Sequence, residues 1–235
     1  ASTITAEGMY VELQENNYFA LNNLAISLKA TEKYKLSEEA YKKCLSIKPD
    51  YVIGIINYAN LKEFLNEFDE AINLNLSALK FQSNSNQAYI FSKLSRLYLS
   101  KGNINEARNY SLKLIEKYPD DTSFYELHSE VVNLEIDKNY LPNMEALYNK
   151  KILSDNEIIN LSFPLGKAHD KLKNYEKAFK FFERGNILKR KQIKYNIEDL
   201  LRLTTSLKKI FSNTHFQKTK KKQSEKKIIF ICGMP

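Results

Sequence analysis

The feature that most constrains this chain is a recurrence at 34–36 residues. Asn57-Tyr58-Ala59 falls 34 positions after Asn23-Leu24-Ala25, and the same offset carries Ser37 to Ala71 and Cys44 to Ala78. At an offset of 36 the pattern continues as Leu94-Ser95, Ala107 and Leu114, and a later unit holds Leu165-Gly166, Ala178 and Gly185. A period of this length means stacked supersecondary units. Each unit reads as a helix, a short polar turn and a second helix. The turns are Thr31-Glu32-Lys33-Tyr34, Asn66-Glu67-Phe68-Asp69, Lys101-Gly102-Asn103-Ile104 and Lys173-Asn174-Tyr175-Glu176. Only 6 Gly and 5 Pro occur in 235 residues, so few positions need special dihedral angles and helices joined by short loops are favoured.

These residues resemble the tetratricopeptide repeat (TPR), a 34-residue helix-turn-helix unit. The family places small residues at positions 8, 20 and 27, where helices cross closely. Here position 8 is Ala25, Ala59, Ser95 and Gly166, and position 20 is Ser37, Ala71, Ala107 and Ala178. Position 27 is Cys44, Ala78, Leu114 and Gly185, and position 17 is Tyr34, Phe68, Ile104 and Tyr175. Pro49 and Pro119 stand at position 32, where a helix must not continue. Asn75 departs from the aromatic of position 24, Leu114 is large for position 27, and Ser83 and Arg190 replace Pro.

The resemblance implies an all-α, right-handed superhelix of antiparallel helix pairs with a concave inner face. Residues 1–17 read as a capping helix or the remnant of a preceding repeat. The array covers 18–190, as units 18–51, 52–85, 88–121, a degenerate 122–156 in which Ala146 is out of register, and 159–190. Residues 191–215 form a capping helix with Leu200, Leu201, Leu203, Leu207 and Ile210 at helical spacing.

In such arrays the first helix of each unit lines the groove through positions 2, 5, 6, 9 and 12. The resemblance therefore marks Asn23, Asn57 and Lys93 (position 6), Ile26, Asn60 and Arg96 (position 9) and Tyr89 (position 2) as candidate groove residues. An Asn amide both donates and accepts, which suits the backbone of an extended peptide. Two Asn followed by Lys93 and Arg96 suit a peptide with an acidic end. The match to the family's carboxylate clamp is partial, because Tyr89 and Ile26 stand where that clamp has a cation and an Asn.

Other chemistry is sparse. His169 occupies core position 11 and reads as a packed histidine, and His128 and His215 have no metal-ligand spacing around them. Glu63, Glu67 and Glu70 read as a solvent-facing acidic helix face, as does the Asp120-Asp121 turn. Cys44 fills a small-residue slot without a His partner. No catalytic motif or metal site is visible, so this chain is expected not to be an enzyme. Two cysteines make no disulfide framework, and no apolar run is long enough for a membrane helix, so a cytoplasmic setting is expected.

The net charge of +8 is concentrated in the last fifth of the chain: residues 186–235 carry 13 Lys+Arg against 3 Asp+Glu. Within it, 216–227 is a lysine-rich linker containing Lys218, Lys220, Lys221 and Lys222. A uniformly basic nucleic-acid binder would be patterned differently. Ile228–Cys232 is a short β-branched run ending at Gly233, the expected first strand of an α/β domain, here a strand stub over 228–235.

Gly233-Met234-Pro235 resembles the opening of the phosphate loop of a sulfotransferase domain, where it would hold the 5′-phosphosulfate end of phosphoadenosine phosphosulfate (PAPS). The repeat around Phe163–Asp170 and Ala178–Asn186 resembles the last repeat of bacterial TPR–sulfotransferase fusions. This implies a parent in which the array recruits or presents an acceptor to a PAPS-dependent sulfotransferase. The alternatives are a free-standing TPR adaptor for protein–protein interaction and, less well matched, a TPR–glycosyltransferase fusion. The expected partner is an extended peptide or protein segment, with neither nucleic acid nor membrane, and self-association could run through the apolar 228–232 strand.

Overall fold

The computed structural model describes residues 17–81, 86–150, 152–193 and 196–211. They divide into two units between Lys189 and Arg190. All the regular structure among the described residues is helical. The helices are α1 (Tyr18–Ala30), α2 (Tyr34–Ile47), α3 (Val52–Phe64), α4 (Phe68–Lys80), α5 (Gln87–Ser100), α6 (Ile104–Lys117), α7 (Thr122–Ser129), α8 (Tyr140–Tyr148), α9 (Asp155–Lys171), α10 (Tyr175–Gln192) and α11 (Ile197–Ile210). The terminal segments 1–16 and 212–235, with the expected strand stub at 228–235 and the basic linker, lie outside the described residues.

Local chemistry sets the helix starts. Asn17 accepts from the backbone N–H of Phe19 and Ala20, Asn103 from Glu106, and Asp121 from Ser123. Ser154 and Glu157 form a reciprocal capping box at the head of α9. The ends of the first helices are just as regular. Position 15 is left-handed in four turns: Glu32 (φ 61°), Asn66 (φ 60°), Gly102 (φ 75°) and Lys173 (φ 61°). In each, the next residue's N–H reaches back to the position-11 carbonyl: Lys33 to Leu28, Glu67 to Lys62, Asn103 to Tyr98 and Asn174 to His169, at 2.8–2.9 Å. This is a Schellman closure, and it satisfies carbonyls that the helix end would otherwise leave bare.

The pairs α1–α2, α3–α4 and α5–α6 pack closely because their crossing residues are small. Ala25, Cys44, Ala59, Ala71, Ala78, Ala107 and Ala178 are all buried. Where a serine takes a crossing position it donates across the pair: Ser37 Oγ to the Ala25 carbonyl at 2.7 Å, and Ser95 Oγ to the Ala107 carbonyl at 2.9 Å. The hydroxyl thus makes its hydrogen bond without holding the helices apart. In the last pair, a Cβ on Gly166 would stand 2.6 Å from the Phe182 ring, and one on Gly185 would stand 3.0 Å from Ser162 Cβ.

Residues 122–156 depart from this plan. They form two short helices, α7 and α8, separated by the 130–139 loop. Here α7 packs on α6 and on α9, and α8 also packs on α9. Their shared core contains Ile115, Tyr125, Tyr140, Met144, Leu147, Leu161, Leu165 and Ala168. A cleft of about 430 Å³ remains between α6 and the start of α8, walled by Leu112, Ile115, Ile136 and Tyr140 and edged by Arg108 and Asp137. In the second unit, α11 is capped by Asn196, and its leucines at 200, 201, 203 and 207 are exposed.

A candidate binding face on the first helices

The face of interest is built at i, i+4 and i+7 spacing on three first helices: Phe19, Asn23 and Ile26 on α1; Ile53, Asn57 and Asn60 on α3; Tyr89, Lys93 and Arg96 on α5. That spacing puts each trio on one helical stripe. Phe19, Ile26, Ile53, Phe64 and Tyr89 are 43–56% exposed, so the three first helices present a partly apolar surface.

The amides are tied to one another. Asn57 Nδ2 donates to Asn22 Oδ1 at 3.0 Å, and Asn22 Nδ2 donates to Asn23 Oδ1 at 3.3 Å. Asn22 is buried, so this chain links α1 to α3 and leaves Asn23 exposed at its end. Asn60 Nδ2 donates to the Tyr89 hydroxyl at 3.0 Å, joining α3 to α5.

Beside this bond lies a depression of about 530 Å³, lined by Lys29, Asn60, Glu63, Phe64, Tyr89 and Lys93. Lys93 Nζ sits 2.6 Å from Glu63 Oε2 and 5.8 Å from the centre of the Tyr89 ring. Lys29 Nζ donates to the Asn60 backbone carbonyl at 3.2 Å and lies 5.1 Å from the centre of the Phe64 ring. Burial, and next the charge of Lys93, lower the Lys29 pKa, while Glu63 offsets part of this. The structure therefore brings together Asn60, Tyr89 and Lys93 from the sequence-derived set and joins Asn23 to Asn57 through Asn22. Ile26 and Arg96 are exposed on the same stripes but do not line the depression.

Sequence reasoning missed Lys29, Glu63, Phe64 and Asn22. A signal for three of them existed, since Asn22 holds position 5 and Lys29 and Glu63 share position 12, both groove-facing in the resembled family. Gly233, Met234 and Pro235 lie outside the described residues.

Two buried polar clusters lie off this face. Glu67 and Glu70, read as solvent-facing, are exposed and also reach a buried cation. Lys62 is buried at core position 11, with Glu38, Glu67 and Glu70 oxygens at 3.0, 2.5 and 2.9 Å. Burial alone would lower its pKa; the three carboxylates raise it instead. Glu38, also bonded to Lys42 at 2.7 Å, is held down at about 2, first by Lys42 and then by Lys62 and the Tyr58 hydroxyl against the opposing effect of burial.

In the second cluster, Ser111 Oγ is 2.8 Å from His128 Nδ1, and His128 Nε2 is 3.2 Å from Asp137 Oδ2. The order is that of a nucleophile, base and acid. Yet Ser111 and His128 are fully buried, and Asp137 also accepts from the Arg108 guanidinium and the Asn133 N–H. No substrate could reach this serine, and the chain of bonds serves to hold α6, α7 and the 130–139 loop together. Burial lowers the His128 pKa to about 4 despite Asp137, so the ring is neutral at ordinary pH. His169 is buried and stacks on Phe181 with ring centres 5.5 Å apart. Burial raises the Cys44 thiol to about 11, which makes it inert.

Family models of the tetratricopeptide repeat match residues 20–51, 90–121 and 163–186. No curated protein matches the chain. Among solved structures, YrrB, described as a TPR protein with an unusual peptide-binding site, is 15% identical over 79% of this chain and 93% of its own, with a TM-score of 0.60. MamA of Desulfovibrio magneticus RS-1 is 13% identical over 74% of this chain and 96% of its own, with a TM-score of 0.59. PilF of Pseudomonas aeruginosa is 16% identical over 76% and 79%, with a TM-score of 0.56. The segments 20–51, 90–121 and 163–186 thus match the tetratricopeptide repeat, and the helical array shares the fold of the TPR structures it resembles.

Proposed function

We propose that this domain binds an extended peptide or protein segment along the face formed by α1, α3 and α5. A scaffold for protein–protein interaction is the role of its fold, and one observation supports this particular face: exposed apolar side chains recur on three successive first helices, with amides on α1 and α3 and lysines on α1 and α5 beside them. The preferred segment carries apolar side chains for Phe19, Ile53 and Phe64 and an acidic group for Lys29 and Lys93. Selection of peptides from a displayed library, repeated with Phe19→Glu and Ile53→Glu, tests this reading. Both positions are exposed, so the variants keep the fold. Peptides retained by the wild-type domain and lost by the variants support it; equal retention contradicts it.

A second reading concerns the protein from which such a chain derives. The Gly233-Met234-Pro235 sequence after an apolar run supports a parent in which the array presents an acceptor to a sulfotransferase domain using PAPS. In that parent, the basic 216–227 segment would favour the anionic cofactor. The sulfate-transfer chemistry would belong to the following domain, and this chain would contribute recognition. The alternative is a free-standing adaptor. Coding sequence that continues past Pro235 as Arg-Ser-Gly-Thr-Thr supports the fusion, and an unrelated continuation removes it. Among the described residues no helix is long and apolar enough to cross a membrane. The sparse cysteines favour a cytoplasmic setting.

A further inference from the structure

We infer that Glu63 is a built-in competitor: its carboxylate occupies Lys93 in the place that a partner's carboxylate takes, so the Lys29–Lys93 depression is an anion site closed by its own side chain. This rests on the peptide-binding reading above and concerns how that face is regulated.

Two ammonium groups and one carboxylate line the depression. Glu63 is bound to Lys93 at 2.6 Å, while Lys29 donates to the Asn60 backbone carbonyl at 3.2 Å and lies over the Phe64 ring without a carboxylate in ion-pair contact among the described residues. The two lysines repel one another, and Glu63 neutralises one of the two charges. A second anion is therefore favoured on charge grounds alone. Glu63 is partly exposed, as is Lys93, so Glu63 can turn into water when another carboxylate arrives. The exchange trades one ion pair for another, and the gain comes from engaging Lys29 as well.

The walls say what accompanies the carboxylate. Phe64 and Tyr89 present half-exposed rings on either side, and the Asn60–Tyr89 bond closes the edge between α3 and α5. An apolar side chain next to the acid would cover these rings and keep water from the ion pairs. The ligand class is thus a carboxylate, from an acidic side chain or a chain terminus, adjacent to an apolar residue in an extended peptide.

The test uses a labelled hexapeptide library built from Phe, Ile, Ser and Glu. Each member is paired with its Gln counterpart, and each is made with a free and an amidated C-terminus. Affinities are measured for the wild-type domain and for Glu63→Gln, Lys93→Gln, Lys29→Gln and Phe19→Glu. Glu63→Gln should tighten acidic members about three- to tenfold and leave Gln members unchanged. Lys93→Gln and Lys29→Gln should each remove the preference for acid. The amidated set tells a side-chain acid from a terminal one. If Glu63→Gln leaves acidic peptides unchanged or weaker while Phe19→Glu still abolishes binding, the competitor role is wrong and the binding face stands. If no peptide binds, or Phe19→Glu has no effect, the binding face itself is wrong and this inference falls with it.

Discussion

Position 15 shows how single residues hold the repeat geometry. A left-handed conformation costs a residue with a Cβ roughly 1–2 kcal/mol, while glycine adopts it freely. Glycine also gains freedom in the unfolded chain, which offsets about 0.5–1 kcal/mol of that relief. Glu32→Gly and Lys173→Gly should therefore each stabilise the domain by about 0.5 kcal/mol, read as a higher urea midpoint; a lower midpoint would contradict the strain assignment. Gly166 behaves in the opposite way. An added methyl meets the Phe182 ring at 2.6 Å, so Gly166→Ala should destabilise by about 2 kcal/mol as the ring or α10 is displaced. Unchanged stability would mean that α9 and α10 are not held as closely as described.

At the scale of elements, the buried ion cluster on α3 replaces the apolar residue that position 11 normally carries. Glu67 and Glu70 are exposed enough to return to water, but Glu38 is largely covered. Removing only the cation takes the buried ammonium from Glu38 and leaves it Lys42 and the Tyr58 hydroxyl. Lys62→Leu should cost on the order of 2 kcal/mol, and adding Glu38→Gln should recover part of it. A double variant no better than the single one would contradict this.

The two clusters also respond to different ranges of pH. His128 is depressed from 6.5 to about 4 by burial, so the unfolded chain takes up its proton first. The stability it contributes is complete above about pH 6.5 and is lost as the pH falls through 4. The contribution is on the order of 3 kcal/mol. Glu38 contributes above about 4.5 and loses its share as the pH falls toward 2. Urea midpoints should thus decline between pH 6.5 and 4 in the wild-type domain and decline less in His128→Gln; a flat profile would place the histidine elsewhere.

For the whole molecule, what was legible in the sequence follows from the range of the interactions. The helix pairs were readable because close crossings demand small residues at fixed separations, and Ala25, Ala59, Ala71, Ala78, Ala107 and Gly166 carry that demand openly. The bonds between repeats were not readable. Asn57 meets Asn22 from 35 residues away and Lys93 meets Glu63 from 30, and at each position alone a polar residue looks like one facing water. Lys62 was hidden for a related reason. Its carboxylates come from α2, α4 and the turn before α4, and only stacking brings them together. The departure at 122–156 showed in sequence as lost register, but the Asp137 hub that holds the loop did not, because it depends on Arg108 and His128 converging from α6 and α7. The amides assigned to peptide binding illustrate the same limit. Asn57 is engaged within the array, and Asn23 is the exposed end of that chain of amides.

Partners are expected to be held by α1, α3 and α5. The most direct measurement is a titration of ¹⁵N-labelled domain with a peptide taken from the library selection, followed by amide chemical shifts. The perturbed amides should cluster in 19–29, 53–64 and 89–96, with Lys29, Asn60 and Lys93 among the largest. Perturbations confined to other surfaces, such as the exposed Tyr175 and Phe179 of α10, would contradict it.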